Sequence, residues 1–255
     1  VPPTEALTEA NRLIATLPRR DRQRFLNCCE RVDFEYAEVL CLPGDPIRYV
    51  YFPTTSFISL TRTVDTCERM EVALIGDEGM IGGSLLLGVD VAPLQALVQG
   101  HGAALRMEAA LFRSELERST ALQRILQRYL HVLFSQLAQL TACTRFHLLE
   151  PRLARWLLMT SDRAHSDRFH VTHEFLAFIL GMRRVGITKA ANSLQQRKLI
   201  AYRRGDITIL DRAGLQALSC SCYEADKAIY AQTLGARLPE SSAASARAAK
   251  EVLAR

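Results

Sequence analysis

The residues of this chain whose types and spacing could do chemistry lie between Thr172 and Arg204. Arg183, Arg184, Val185, Thr188, Lys189 and Asn192 fall within one short stretch. An Arg can make two hydrogen bonds to guanine, an Asn can do the same to adenine, and an apolar side chain can pack on a thymine methyl. Thr172 precedes this stretch, and Lys198, Arg203 and Arg204 follow it. Hydroxyls, ammonium and guanidinium groups of this kind suit phosphate oxygens, which fix register without reading sequence. The chemistry implied is recognition of a polyanion and its base edges. No H-E-x-x-H, G-x-S-x-G, P-loop or dinucleotide fingerprint occurs, so an enzyme is not expected.

These side chains need elements to hold them. Thr172 is a suitable N-cap for a helix ending at Leu180, with Phe175, Leu176, Ile179 and Leu180 facing inward. Gly181-Met182 supplies a tight turn. A second helix over 183–197 has Ile187, Ala190, Ala191 and Leu194 on its inner stripe. Val185, Thr188, Lys189, Asn192 and Gln196 then point outward, with Arg183 and Arg184 in the first turn. Cations there oppose the helix dipole, which makes sense if they meet something anionic. A merely solvated basic face is the alternative. Leu199–Tyr202 and Ile207–Leu210 read as two short strands joined by Arg203-Arg204-Gly205-Asp206, a hairpin with a basic tip.

Upstream, residues 5–30 look helical, with Ala6, Leu7, Leu13, Ile14, Leu17 and Phe25 as the apolar positions and Pro18 dividing two short helices. From Arg31 to Met107 short β-rich runs alternate with turn signals: 33–41, 49–52, 57–63, 71–75 and 94–98. That texture predicts a small antiparallel barrel or sandwich. A long helical stretch over 108–149, broken near Arg118-Ser119, follows. Along it Leu122, Leu126, Tyr129, Leu133, Gln136, Leu140 and Cys143 alternate in spacing by four and three. Such a stripe either packs on the chain's own barrel or pairs with its twin in a parallel dimer, and the dimer is preferred, with Gln136 setting register. The tail from Ser241, rich in Ala and Ser, is expected to be mobile.

Hydrophobic content of 49% and charged content of 23% suit a folded globular protein, and a net charge of +5 is too mild to indicate a partner without clustering. No apolar run reaches membrane-spanning length, and the first residues lack the pattern of a signal peptide, so a cytoplasmic location without membrane contact is expected. Seven cysteines stand at 28, 29, 41, 67, 143, 220 and 222. An odd number without two C-x-x-C knuckles fits reduced thiols better than disulfides or structural zinc, and no metal ligands are assigned. Redox or metal chemistry would be sought at Cys143 and the Cys220/Cys222 pair.

The run from Thr172-His173-Glu174-Phe175-Leu176 through Gly181-Met182-Arg183-Arg184-Val185-Gly186-Ile187-Thr188 to Arg204-Gly205 strongly resembles the DNA-binding domain of the Crp/Fnr superfamily. Leu42-Pro43-Gly44-Asp45, Tyr51-Phe52-Pro53 and Ile75-Gly76-Asp77-Glu78-Gly79-Met80-Ile81-Gly82 resemble turns of that family's cyclic-nucleotide-binding-like barrel. The resemblance implies an α+β fold. An antiparallel, jelly-roll-like β-roll sensor would span 1–118, a dimerisation helix 119–149, a winged helix-turn-helix 150–235 and a tail 236–255. It implies base reading from Arg184, Val185 and Lys189, flanked by Arg183, Thr188 and Asn192, and a phosphate contact at Thr172. Some members carry Glu where this chain has Val185, so the half-site read is expected to differ.

The family's cyclic-AMP-binding members use a Gly-Glu pair and an Arg-Ser or Arg-Thr pair. Here those places hold Gly82-Gly83 and Ala92-Pro93, lacking both the carboxylate and the guanidinium. Burying an unpaired phosphate is costly, so cyclic AMP is not expected; Arg106 and the long helix are the candidate substitutes. Cys28, Cys29, Cys41 and Cys67 lack the close grouping of iron–sulfur ligands, and His101 or Cys67 would each be a lone haem ligand, so neither cofactor is expected. The cofactor is left unassigned. The expected function is a sequence-specific transcription regulator, a homodimer on an inverted repeat, with double-stranded DNA, its own twin and RNA polymerase as partners. The alternative is a ligand- or redox-sensing module acting through protein partners.

Overall fold

A computed structural model of the chain describes residues 11–64 and 68–235. Ala6, Leu7, Cys67 and the tail from Ser241 lie outside them. Asn11 opens the described chain by capping α1 (Arg12–Ala15), while its side-chain amide donates to the carbonyls of Pro53 and Gly79. Pro18 then separates α1 from α2 (Arg19–Asn27), since its missing N–H suits a helix start.

Seven strands build the β-roll: β1 (Glu30–Phe34), β2 (Val39–Cys41), β3 (Tyr49–Pro53), β4 (Phe57–Val64), β5 (Glu68–Ile75), β6 (Gln95–Gly100) and β7 (Gly102–Glu108). They pair antiparallel in two sheets, ordered β1-β7-β3 and β2-β6-β4-β5. The sequence reading ran 33–41 as one strand; Ala37, at φ 65°, turns the chain between β1 and β2. It also left β7 unassigned, because Ala103, Ala104 and Glu108 are weak strand formers that burial holds in place.

Ser119 breaks the following helices, capping α4 (Thr120–Phe146) after α3 (Ala109–Arg118). The stripe read as a dimer seam turns inward. Leu122, Leu126 and Tyr129 are buried in the β-roll core, and the Tyr129 hydroxyl donates to Met80 O at 3.3 Å. Leu133 packs on the second sheet's core, and Gln136 and Leu140 face a crevice shared with Arg152, Arg155 and Trp156. Cys143 is buried beside Cys220 and Cys222. The heptad spacing is therefore satisfied within the chain, because a helix lying on its own barrel needs the same apolar stripe as one lying on its twin.

The C-terminal unit consists of α5 (Leu149–Ala164), β8 (Arg168–His170), α6 (His173–Leu180), α7 (Arg184–Gln196), β9 (Ile200–Arg203), β10 (Asp206–Ile209) and α8 (Arg212–Leu218). Its separate core joins Leu153, Leu157, Leu176, Ile187, Leu194, Ile207 and Leu215. The last helix of the described residues, α9 (Cys222–Leu234), leaves that unit and packs along α4, where Tyr230 donates to Glu78 O of the β-roll. The two bodies also meet directly. Trp156 of α5 donates its indole N–H to Glu71 of β5 at 2.9 Å, and Arg163 pairs with Glu78 at 2.6 Å.

Candidate nucleic-acid interface

Position on α7 decides what each predicted side chain can reach. Ile187, Ala190, Ala191 and Leu194 are buried, which pins the helix and leaves Arg184, Val185, Lys189, Asn192 and Gln196 in solvent. Val185 is 67% exposed, an apolar side chain held out on a polar face. Arg183 occupies the N-cap position with extended backbone and makes no capping hydrogen bond, so no side chain closes off the first N–H groups of α7. Unpaired N–H groups and the dipole favour an anion at that end. Among the described residues, no carboxylate lies within 4.0 Å of Arg183, Arg184, Lys189, Lys198, Arg203 or Arg204. Glu150 engages Ser193 and Arg197 instead, one turn beyond Lys189.

Thr188 is placed differently from its expected base-reading role. Its hydroxyl donates to Arg184 O and lies 3.1 Å from His173 Nδ1. His173 in turn stacks on Tyr202 of β9, with ring centroids 4.4 Å apart and planes 10° from parallel. Burial first, then the nearby Arg184 charge, lowers the His173 pKa and so favours its neutral form. Tyr202 is fixed by its own hydroxyl on Val171 O and by Gln195, whose side-chain oxygen accepts from the Tyr202 N–H. The chain Tyr202–His173–Thr188–Arg184 thus sets α6, α7 and the hairpin at one fixed spacing. The sequence reading missed His173 and Tyr202; both lie inside the run it quoted, but nothing local marks two rings that meet only after folding.

The hairpin tip is a two-residue turn with Arg204 at φ 53° and Gly205 at φ 93°. Both angles are positive, the pattern of the tight turn that matches strand twist. A Cβ on Gly205 would come within 2.4 Å of the His170 ring on β8, the third strand of this sheet. Arg203 and Arg204 are exposed at this tip, and Lys198, at φ 58°, is exposed between α7 and β9. Thr172 caps α6 by accepting from Phe175 N–H at 3.1 Å, leaving its exposed O–H free to donate outward.

Residues 151–218 match the family described as the Crp-like helix-turn-helix domain. FixK2 of Bradyrhizobium japonicum has the same fold, with a TM-score of 0.65 at 14% identity over 76% of this chain and 98% of that one. So does a Crp/Fnr-family transcriptional regulator of Eubacterium rectale, with a TM-score of 0.64 at 18% identity over 81% and 96%. Residues 151–218 thus carry a Crp-like helix-turn-helix domain, and the chain has the fold of these solved structures. It is also 26% identical over 194 residues to the global nitrogen regulator of Synechococcus elongatus, spanning 71% of this chain and 86% of that one. No helix among the described residues is long and apolar enough to cross a membrane.

The β-roll and α4 border a cavity of about 770 Å³. Gly82, Gly83, Ala92 and Pro93 are among its lining residues. Leu60, Ile81, Leu130, Leu133, Phe134 and Leu137 make its walls largely apolar. Its charged lining residues, Asp45 and Arg48, are exposed to solvent. Arg106 is not part of it. Standing on β7, Arg106 is held by Glu30 at 2.7 Å and covers the Tyr49 ring at 4.5 Å. The proposed guanidinium substitute is thus committed elsewhere, and the cavity offers a cyclic phosphate no cation in its interior.

Proposed function

We propose that the protein binds double-stranded DNA as a homodimer on an inverted repeat, with α7 in the major groove and the β9–β10 hairpin on the backbone. The observation that carries this reading is the set of exposed cations on α7 and the hairpin, held in a fixed frame with no carboxylate partners among the described residues. Arg183, Arg184, Val185, Lys189 and Asn192 meet base edges, and Thr188 acts by holding Arg184 and His173. Thr172, Lys198, Arg203 and Arg204 grip phosphates.

The dimer uses the outward stripe of α4 rather than the buried one. Gln127, His131, Phe134, Ala138 and Thr141 are exposed and alternate in spacing by four and three. Phe134 is 60% exposed and also lines the cavity, so a ligand there would touch the dimer face. An apolar effector, rather than a cyclic nucleotide, fits those walls. We place the protein in the cytoplasm, with RNA polymerase as a further partner on the operator.

Selection of binding sequences from a random duplex library tests the reading. An inverted repeat with half-sites one helical turn apart, about 34–36 Å, is the expected outcome. Binding to it should weaken steeply with salt. Equal affinity for selected and random duplexes would overturn the proposal.

A further inference from the structure

Four side chains with metal-binding atoms converge where α4 ends and α9 begins. Cys143 lies on the last full turn of α4, His147 is its C-cap, Cys220 sits in the turn after α8, and Cys222 is the first residue of α9. The sulfurs of Cys143 and Cys220 are 3.6 Å apart, and Cys222 Sγ is 3.4 Å from His147 Nδ1. All four atoms lie within 4.8 Å of one another. Zinc bonds of about 2.3 Å to sulfur and 2.0–2.1 Å to nitrogen set the edges of a tetrahedron near ~3.5–3.8 Å. The Cys143–Cys220 and Cys222–His147 separations match those edges.

The surroundings fit a charged centre rather than packing. Cys143 and Cys222 have no exposure and Cys220 has 6%, while His147 is half-buried. Gln139 directs its side-chain N–H at Cys222 Sγ from 3.0 Å, the outer hydrogen bond that a metal-bound thiolate accepts. Arg152 and Arg155 lie close enough to act on Cys143 and Cys220 electrostatically, which offsets the net negative charge of three thiolates around a dication. A disulfide between Cys143 and Cys220 would use two of the four groups and leave Cys222 and His147 facing each other without purpose. Four ligands gathered on one centre also leave no space for the bridging sulfides of a cluster.

We propose that Cys143, His147, Cys220 and Cys222 bind one zinc ion in a closed structural site. Three thiols lose their protons to solvent on binding, and His147 coordinates as the neutral imidazole through Nδ1. Soft thiolates, an imidazole and four protein ligands select zinc over harder cations and leave no open position for catalysis. The ion joins the end of α4 to the start of α9 across the junction at Leu148, where the winged helix is attached. It therefore fixes the angle at which the DNA-binding unit leaves the long helix.

Elemental analysis and native mass spectrometry of the full chain, purified reduced and without chelator, should find one zinc per chain. Replacement by Co2+ should give the intense visible bands of a tetrahedral thiolate site. Cys222→Ser and His147→Ala should lose the metal or shift those bands, whereas Cys41→Ser should leave both unchanged. The wild-type Co2+ spectrum decides the matter even where a variant fails to fold. Zinc content far below one per chain with no cobalt–thiolate bands, a brown iron–sulfur chromophore, a Cys143–Cys220 disulfide in the reduced preparation, or loss of metal in Cys41→Ser would each overturn the proposal.

Discussion

On the winged helix, Arg183, Arg184, Lys189, Lys198, Arg203 and Arg204 are exposed, with no carboxylate of the described residues within 4.0 Å. The β-roll and its junction with α5 treat charge in the opposite way. There Arg106 is locked to Glu30, Arg163 to Glu78 and Arg155 to Asp226, the last at 2.5 Å with both side chains buried. The cavity between the β-roll and α4 has largely apolar walls. Exposed cations cost little in water, so leaving them unpaired preserves their charge for a polyanion. A buried charge left unpaired would destabilise the fold, and Arg155 and Arg163 are matched by Asp226 and Glu78. The two regions are thus specified for different ligands: one for a phosphate backbone and base edges, the other for a molecule with little charge.

The largest effect belongs to the buried side of this contrast. Glu71 lies between Ser59 and Trp156, and burial pushes its carboxyl up to about 7 despite those hydrogen bonds. Between pH 4.5 and about 7 the folded chain therefore holds a proton that the unfolded chain has released. Stability from this group is complete below that window and is lost as pH rises through it, by an upper limit of about 3 kcal/mol. Glu71→Gln, which imitates the neutral acid, should remove the decline and be more stable than wild type at pH 8. Trp156 is the single tryptophan, so its fluorescence should titrate near pH 7 in wild type and stay flat in the variant. Superimposable stability curves would show that Glu71 is ionised throughout.

On the exposed side, Arg184→Ala should lower affinity for the selected operator by about 1–3 kcal/mol, or roughly 5- to 150-fold, and relax preference at one base position. Competition with random duplex DNA measures both. His173→Ala should reproduce part of that loss, because it removes the partner of Thr188 and the ring stacked on Tyr202 without touching a base.

Much of this contrast was legible in the sequence. The inward stripe of α7 is complete over two turns, so the outward residues follow from helical geometry, and Thr172, Gly181 and Gly205 mark the cap and turns locally. Local patterns gave the break at Ser119 for the same reason. What stayed hidden depends on pairings distant in the chain. A heptad stripe does not say which surface covers it, so the residues from Leu122 to Cys143 were assigned to a twin rather than to the β-roll and α9. The placement of Arg106 beside Glu30 follows from the β1–β7 register. Spacing likewise concealed the link between Cys143-x-x-x-His147 and Cys220-x-Cys222, because α9 had to fold back on α4 to bring them together.

The cavity gives a smaller effect. A saturated ten-carbon alcohol at ten times its Kd should stabilise the protein by about 1.4 kcal/mol, following the mass-action relation for a ligand that binds only the folded state. Leu133→Arg, which brings a charge to the α4 wall, should abolish that shift. Cyclic AMP should leave thermal unfolding unchanged, and a saturable stabilisation by it would mean that a cation enters the cavity on binding.

The smallest effect is at the hairpin tip and distinguishes gripping from reading. Arg204 lies beside Gly205 at the turn and is exposed. Its guanidinium can gain only a screened attraction to phosphate, so Arg204→Ala should weaken binding by about 0.5–1 kcal/mol. The loss should be the same on operator and random duplexes. Removing one phosphate contact also releases one fewer counterion, so the slope of log K against log salt should fall by about 0.9. If the loss were confined to the operator, the hairpin would be reading bases, and the division between α7 and the β9–β10 tip would have to be redrawn.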